Sequence, residues 1–253
     1  GRSALDGVEL MNVGVNYMRE HIKEDARIHY VVTNGGIQPN VVPPTASVWY
    51  YVRADKHGDV DEYFAWVTKI AQGAAMMTQT RVEWSIDTDC HEQVPNRVLA
   101  DAVDRNLRLV GPPGFDDEER AFATRIRETI PDAPEGPALY DEVESVPTEP
   151  RLVKGSTDIG DVSWFAPVGH LRAATQANGS PGHSWQITAC TGTSIGEKGG
   201  AVAAKALACT ALDLLTSAEL RRQAWADFKE RRGTDDYKLL IPPDQGPPFP
   251  PTR

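Results

Sequence analysis

Arg27-Ile-His-Tyr-Val-Val-Thr33 is rich in β-branched and aromatic residues, and it leads directly into Asn34-Gly35-Gly36, a turn signal. A second run of the same character, Ser47-Val-Trp-Tyr-Tyr-Val-Arg53, follows after a loop that contains three prolines. These two runs predict a pair of neighbouring strands.

Helical and strand patterns flank the two runs. Residues 3–22 carry apolar side chains at alternating spacings of four and three, which predicts an amphipathic helix. Asp59 is typical of an N-cap before a second helix, and residues 81–87 alternate as a third strand. The order helix–strand–strand–helix–strand is that of a ferredoxin-like unit whose first strand is missing. We therefore expect Gly1 to be an internal boundary of a longer protein, and the sheet to have an exposed edge.

The rest of the chain predicts mostly helices, so the fold class is α/β. The predicted helices cover 96–109, 115–130, 201–215 and 218–231, and a short predicted strand covers 186–190. Residues 131–150 hold five prolines among acidic residues, which indicates a surface excursion without regular structure. The tail, residues 242–253, holds six prolines and is expected to wrap the surface or to be disordered.

Composition excludes several classes of function. Lys and Arg number 26 against 36 Asp and Glu, a net charge of −10, and no basic stripe is present to neutralise phosphates, so we expect no nucleic-acid partner. No apolar run reaches the roughly 18 residues of a membrane span, so we expect no membrane association. Three widely separated cysteines are typical of a reducing compartment, which predicts a cytoplasmic protein.

Asn40 and Arg53 are the first candidate binding residues. The glycines and proline before Asn40 place it in a loop, and Arg53 ends the second predicted strand. An arginine can bind a carboxylate through two hydrogen bonds, and an asparagine can donate one to a carbonyl oxygen. A turn asparagine and a strand-end arginine are also common in purely structural roles, so spacing alone leaves both interpretations open.

Gly155-Ser-Thr-Asp-Ile-Gly-Asp-Val-Ser-Trp164 places two carboxylates, Asp158 and Asp161, in one glycine-flanked turn. These carboxylates can orient a ligand, bind a metal or contact substrate. Asp and Ser side chains also bond their own backbone in turns, so a purely local role is the alternative.

His183 lies in a second such turn, Pro181-Gly-His-Ser-Trp-Gln186. A neutral imidazole suits zinc, manganese, cobalt or nickel, and the alternative is an ordinary loop histidine. His57-Gly58-Asp59 has the H-x-D spacing that dinuclear amidohydrolases use for their first ligands, but we interpret it as a loop and an N-cap. The remaining histidines have no partner at ligand spacing and are interpreted as structural: His21, His29, His91 and His170.

Taken together, several segments resemble the aminoacylase/carboxypeptidase family of dinuclear metallohydrolases. The resemblance is carried along almost the whole chain by Gly1-Arg-Ser-Ala-Leu-Asp6, Met11-Asn-Val-Gly-Val-Asn16, Gly35-Gly36 with Pro39-Asn-Val-Val42, Tyr51-Val-Arg-Ala54, Pro95-Asn-Arg97, Ser156-Thr-Asp-Ile-Gly-Asp-Val-Ser-Trp164, and His183-Ser-Trp-Gln186 with Thr193-Ser-Ile195.

This resemblance implies two domains and a missing part. Residues 1–92 correspond to a ferredoxin-like lid, or dimerisation, domain without its first strand. Residues 93–253 correspond to the C-terminal half of a metallopeptidase-like α/β catalytic domain. The chain then resembles roughly the last 60% of the full enzyme. The other metal ligands and the glutamate general base would lie in the N-terminal part of the same protein.

Individual roles also follow from the resemblance. His183 matches a late metal ligand, and Asn40 and Arg53 match lid residues that contact substrate. Asp158 lies in the motif beside the metal centre, with Ser156 as a neighbour. No catalytic residue is assigned within this chain. The implied cofactor is a divalent transition metal, manganese, zinc or cobalt, as one or two ions.

The implied activity is metal-dependent hydrolysis of a C–N bond, the amide of an N-acyl or N-aroyl amino acid. The substrate is then a small carboxylate-bearing molecule, and the protein is expected to form a homo-oligomer. A first alternative is an aminohydrolase that releases ammonia from an amino-substituted aromatic acid. A second alternative is a non-catalytic dimerisation or partner-binding fragment.

Overall fold

The structure is a computed structural model that describes residues 1–246. In the first part of the chain it contains α1 (Ala4–Met18), β1 (Arg27–Asn34), β2 (Ser47–Arg53) and α2 (His57–Thr78). The later elements are α3 (Arg97–Val110), α4 (Asp117–Arg127), α5 (Ile159–Ser163), α6 (Trp185–Thr191), α7 (Ser194–Thr216) and α8 (Ala218–Arg232). Of the predicted tail, residues 247–253 lie outside the described residues.

The chain divides into two compact units. The first contains Gly1–Gln93, Leu152–Asp161 and, within the described chain, residues 236–246. The second contains Val94–Arg151 and Val162–Asp235. The ferredoxin-like arrangement of the lid and the assignment of the domains 1–92 and 93–253 stay predictions.

Two antiparallel strands and two helices form the core of the first unit. Strands β1 and β2 pair from Arg27 opposite Arg53 to Val32 opposite Val48, with an irregularity between Val32 and Asn34. Helices α1 and α2 pack together, and their apolar faces enclose a core with one face of the hairpin. The core residues are Val15, Met18, Ala26, Ile28, Tyr63 and Val67. Both predicted strands and the first predicted helix are therefore confirmed.

Residues 81–87 were predicted to form a strand, and this prediction is wrong for the structure. The two-stranded sheet contains β1 and β2 alone, and residues 80–96 have no regular secondary structure. A strand is defined by a neighbour that satisfies its backbone hydrogen bonds, and no described strand pairs with this segment.

Helix α2 begins at His57, so the prediction that Asp59 caps this helix is also wrong. Its N-cap is Lys56, which makes no side-chain capping bond. Instead the Glu92 carboxylate accepts the backbone N–H of His57 at 3.1 Å. A carboxylate at the positive end of the helix dipole replaces the usual capping side chain.

Helices and long loops make up the second unit. Helices α3, α7 and α8 pack against one another, and α6 packs against α7. One core cluster comprises Phe115, Ala123, Ile126, Leu139, Ala177, Cys190 and Ile195. Residues 131–150 form neither helix nor strand, as predicted. The predicted helices over 96–109, 115–130, 201–215 and 218–231 are present with shifted ends.

Residues 186–190 were predicted to form a strand, but they lie in helix α6. Gln186 and Cys190 are buried and four residues apart, so they face the same side of the helix. The run is too short to distinguish the two periodicities, and its β-branched residues favoured the wrong one.

Helix α7 also differs from expectation. Its 23 residues are long and apolar enough to cross a membrane by length and composition alone, although we predicted no such run. It packs against α3, α6 and α8, although only 22% of its most apolar 18-residue stretch is buried within the described structure.

A buried carboxylate joins the first turns of α4 and α7. The Glu119 side chain is 7% exposed and forms a reciprocal capping box with Asp116 at the start of α4. It also accepts hydrogen bonds from Lys198 Nζ at 2.6 Å and Ser194 Oγ at 2.5 Å. Burial opposes its ionisation, but the bonds from Lys198 and Ser194 outweigh burial and lower the pKa of Glu119 to about 2.

Candidate functional site

Arg53 and Ser156 are brought together in the first unit, although 103 residues separate them. Arg53 ends strand β2, and its Nη2 donates to the carbonyl oxygen of Lys154 at 2.8 Å and to Ser156 Oγ at 3.3 Å. A guanidinium has five N–H donors, and these two bonds use at most two of them. The structure therefore holds Arg53 in place and leaves donors for an anionic ligand.

Asp158 lies in the same neighbourhood as Arg53. The charges of both residues act on the thiol of Cys90, with opposite sign. Burial is the main cause that raises the pKa of Cys90, and Asp161 and Asp89 raise it further. Asp158 is exposed and its Oδ1 accepts a hydrogen bond from Thr157 Oγ1 at 3.3 Å. Three of the four predicted substrate-binding residues thus belong to one part of the first unit.

Asn40 is not brought to this cluster. It lies in an exposed turn, in which the N–H of Val41 donates to the carbonyl oxygen of Gln38. Within residues 1–246 no hydrogen bond joins Asn40 to Arg53 or Ser156. A substrate contact by Asn40 stays a prediction.

His183, the predicted metal ligand, lies in the second unit, in the turn before α6. Its side chain is exposed and its backbone has a φ of +57°, which a non-glycine residue adopts rarely. Across the described chain, no three His, Cys, Asp or Glu side chains lie together as a metal site. The described residues therefore supply one candidate imidazole and do not complete a metal centre, and the role of His183 stays a prediction.

Sequence reasoning missed a buried histidine–carboxylate pair in the first unit. His57 Nε2 lies 3.0 Å from Asp89 Oδ2, and each side chain is only 5% exposed. On its other side, His57 Nδ1 lies 3.5 Å from Asp61 Oδ1. The backbone N–H of Leu240 donates to Asp89 Oδ2 at 2.6 Å. Asp89 is therefore a junction between α2 and residues 236–246.

The pair shifts the pKa values of both partners. The hydrogen bond to Asp89 raises the pKa of His57, against the opposing effect of burial. Burial raises the pKa of Asp89, but the bonds from His57 and Leu240 outweigh it, and the net pKa is lowered. The pair is thus favoured in its charged form, imidazolium and carboxylate.

His91, which we interpreted as structural, extends the pair into an aromatic stack. Its ring lies 3.8 Å from that of His57 with planes only 5° apart, and 4.5 Å from the ring of Tyr237. Its Nε2 lies 2.6 Å from the carbonyl oxygen of Lys238. The only sequence signal was the density of polar residues in Asp89-Cys-His-Glu92, and their partners are too distant in the chain to be inferred.

The sequence of the chain was compared with those of known proteins. The chain is 38% identical to a subunit of the p-aminobenzoyl-glutamate hydrolase of Escherichia coli (strain K12), over 98% of the chain and 56% of that protein. It is 26% and 27% identical to the Xaa-Arg dipeptidases of Mus musculus and Homo sapiens, over 90% of the chain and 46% of each. No family model matches the chain. The chain spans about half the length of these relatives, and the matches confirm the predicted resemblance.

Proposed function

Nearly the whole chain is related in sequence to a subunit of p-aminobenzoyl-glutamate hydrolase. From this premise we propose that the chain is part of a hydrolase that cleaves the amide C–N bond of an N-acyl or N-aroyl amino acid. The names of the relatives, an amidohydrolase and two dipeptidases, support an amide as the bond that is cleaved. Both kinds of substrate named for the relatives carry a carboxylate.

Arg53 is the observation that carries the proposal. Its guanidinium is fixed by Lys154 and Ser156 and retains unused donors, so it offers a preorganised site for the carboxylate of an amino-acid product. Charge-assisted hydrogen bonds of this kind fix the orientation of a substrate as well as its affinity. In this proposal Asn40 donates to a substrate carbonyl and Ser156 and Asp158 border the ligand.

A metal site is also part of the proposal, but the described residues do not provide all of its ligands. We propose that His183 supplies one ligand to a divalent ion (manganese, zinc or cobalt), with the other ligands in the N-terminal part of the same protein. The part that the described residues perform on their own is the binding and orientation of the substrate. The proposal also includes a homo-oligomer in the cytoplasm, and an assembly with a partner is supported because the bacterial relative is itself named as one subunit of a hydrolase.

The test is an assay of the protein with p-aminobenzoyl-glutamate that measures free glutamate and ammonia in parallel. Release of glutamate supports amide hydrolysis, and release of ammonia without glutamate would establish the aminohydrolase alternative. Binding without any turnover, in metal-loaded protein that includes the proposed N-terminal part, would establish the non-catalytic alternative.

Variants of Arg53 make the assay specific to the site. We expect Arg53→Ala to raise KM by about 10-fold to 100-fold with a smaller change in kcat, since a charge-assisted hydrogen bond contributes about 1.5–3 kcal/mol. The matched control is Arg81→Ala, because Arg81 has an 85% exposed side chain in the same unit. Equal KM values for Arg53→Ala and Arg81→Ala would show that Arg53 does not bind the substrate.

His183 is tested by metal content. We expect His183→Ala to lower the amount of bound metal and the rate, while exposed His170, replaced in the same way, changes neither. Normal metal content and rate in His183→Ala would sink the assignment of this ligand.

A further inference from the structure

The segment that carries Ser156 and Asp158 leads into α5, and Asp161 of α5 holds it at a second point in addition to its bonds with Arg53. The Asp161 Oδ1 atom accepts the backbone N–H of His91 at 2.9 Å and the hydroxyl of Tyr237 at 3.2 Å. The two donors come from segments 70 and 76 residues away in the chain. Asp161 therefore joins three separate segments of the first unit, which we call the Asp161 junction (Asp161, His91 and Tyr237).

Backbone packing fixes the turn at the same point. Gly160 is buried, and a Cβ atom placed on it would lie 2.1 Å from the carbonyl oxygen of His91. No real Cβ tolerates that separation, so the backbone of the turn lies directly against the backbone of His91. The carboxylate of Asp161 and the missing side chain of Gly160 thus secure one end of the turn.

Tyr237 is suited to the role of a permanent donor. Burial, followed by the nearby Asp161 carboxylate, raises the pKa of the Tyr237 hydroxyl to about 12. Its ring stacks on His91 at 4.5 Å, with planes 28° apart, and His91 stacks in turn on His57. The donor therefore stays protonated and its ring is held in place from the other side.

The opposite end of the turn is held by Arg53, through the carbonyl oxygen of Lys154 and the hydroxyl of Ser156. Asp158 lies between the two attachment points. Lys154 and Asp161 are only seven positions apart in the chain, so the two attachment points constrain one short segment.

We propose that Asp161 is a positioning residue, which fixes residues 154–161 so that Ser156 and Asp158 lie beside Arg53 in the geometry that binds a carboxylate ligand. The inference rests on the proposed role of Arg53 in binding a substrate carboxylate, but the junction itself is a separate set of contacts. Asp161 acts through hydrogen bonds that it accepts, and its negative charge alone would oppose an anionic ligand.

This difference between hydrogen bonding and charge suggests the variants. Asp161→Asn keeps an acceptor oxygen of the same shape and removes the charge, whereas Asp161→Ala removes both. Tyr237→Phe keeps the stacked ring and removes one donor. We expect Asp161→Ala to weaken binding of N-benzoylglycine, a simple N-aroyl amino acid, about tenfold. Asp161→Asn should stay within about threefold of the wild type, and Tyr237→Phe should lie between the two.

Two measurements on the same proteins separate the possible outcomes. The first is the Kd for N-benzoylglycine by calorimetry, and the second is amide hydrogen exchange of residues 154–160 without ligand. We expect exchange in this segment to rise about tenfold in Asp161→Ala and little in Asp161→Asn. Tyr237→Phe provides the same test if Asp161→Ala fails to fold.

The results discriminate the positioning role from the proposed function. Weaker binding together with faster exchange in Asp161→Ala, rescued in Asp161→Asn, supports positioning. An unchanged Kd in Asp161→Ala and in Tyr237→Phe overturns it and leaves the role of Arg53 intact. Tighter binding in Asp161→Asn and Asp161→Ala alike also overturns it, because charge alone would then explain the effect.

If the wild type does not bind N-benzoylglycine and Arg53→Ala is indistinguishable from it, the proposed function fails. Exchange of residues 154–160 then decides by itself whether Asp161 fixes the turn.

Discussion

Asp89 in the first unit and Glu119 in the second are both carboxylates that the fold buries almost completely, with side chains 5% and 7% exposed. Asp89 is paired with the imidazole of His57, and Glu119 with the ammonium of Lys198. An imidazole gains or loses its charge near neutral pH, whereas an ammonium does not. The comparison shows that burial alone does not determine how a buried ion pair responds to pH, because the pKa of the cationic partner also determines it.

The two carboxylates also differ in how their partners are distributed along the chain. Glu119 forms a capping box with Asp116, three residues away, beside its longer-range bonds. Asp89 contacts His57 and Leu240, which are 32 and 151 residues away. Glu119 therefore reinforces a local helix start, while Asp89 holds together segments that have no local reason to meet.

The largest expected effect is the loss of Glu119. Glu119→Ala removes the bonds to Lys198, Ser194 and the Asp116 N–H at once, so we expect the free energy of unfolding to fall by about 3 kcal/mol. Urea unfolding gives the size of the loss. Hydrogen exchange should locate it in peptides from α4 and the first turns of α7.

Glu118 is the matched control for this experiment. It lies in the same first turn of α4 but is exposed, so Glu118→Ala should change stability by less than about 0.5 kcal/mol. Similar losses in the two variants would show that the charge at the helix start matters and the buried network does not.

A smaller loss is expected at Asp89. Asp89→Ala leaves the N–H of Leu240 without this acceptor, but His57 can lose its proton and avoid an unpaired buried charge. We therefore expect a loss of about 2 kcal/mol, with increased exchange in residues 236–246. Asp61→Ala is the control, because Asp61 is on the other side of His57 and is half exposed. A larger loss of stability in Asp89→Ala than in Glu119→Ala would contradict the expectation that His57 avoids an unpaired buried charge by losing its proton.

Much of the fold follows from the sequence, and the failures share a physical cause. Helices with long apolar periodicity were predicted correctly, as were the two strands that pair with each other. Residues 81–87 have a strand pattern but no described neighbour to pair with, and residues 186–190 are too few to show a helical period. Local pattern predicts an element only where the tertiary partner that it needs is present.

The candidate site was predicted less completely. Arg53, Ser156 and Asp158 were named and lie in one region, but Asn40 and His183 are not joined to them. The pair of His57 and Asp89 was missed altogether, because His57-Gly58-Asp59 was interpreted as a loop and an N-cap. Residues 57, 89, 161 and 237 approach one another only through the fold, and a single sequence contains no record of such distances.

The pair of Asp89 and His57 should respond to pH near neutrality, whereas the pair of Glu119 and Lys198 should not. The folded pKa of His57 is raised above its unfolded value of about 6.5, so its stabilising contribution is complete below that pH and is lost as pH rises through the folded pKa. The folded pKa of Asp89 is lowered, so its contribution is present above the unfolded value of about 3.8 and is lost as pH falls through the folded pKa. Glu92 and Asp61 also act on His57 and raise its pKa.

We therefore expect the free energy of unfolding to decline as pH rises above about 6.5 and through the raised pKa of His57, by less than the loss in Asp89→Ala. The pair of Glu119 and Lys198 contributes nothing to this decline, because the pKa of Glu119 is about 2 and that of Lys198 is raised from 10.5. Urea midpoints at several pH values for the wild type and for His57→Gln provide the measurement. A decline of the same slope in His57→Gln would assign it to other groups.

The smallest expected effect comes from two serines of the second unit whose hydroxyls differ in hydrogen bonding. Ser194 donates its hydroxyl to Glu119 at 2.5 Å, whereas the buried Ser184 hydroxyl, at the N-cap of α6, has no hydrogen-bond partner within residues 1–246. Ser194→Ala should cost about 1 kcal/mol, since it removes one of several bonds to an ionised group. Ser184→Ala should be neutral or slightly stabilising, because it removes a buried hydroxyl that is not satisfied. Urea unfolding of both variants at pH 6, where Glu119 is fully ionised, decides the matter. Equal costs would mean that the bond from Ser194 to Glu119 does not set the loss, and the network around Glu119 would then need fewer partners than the geometry indicates.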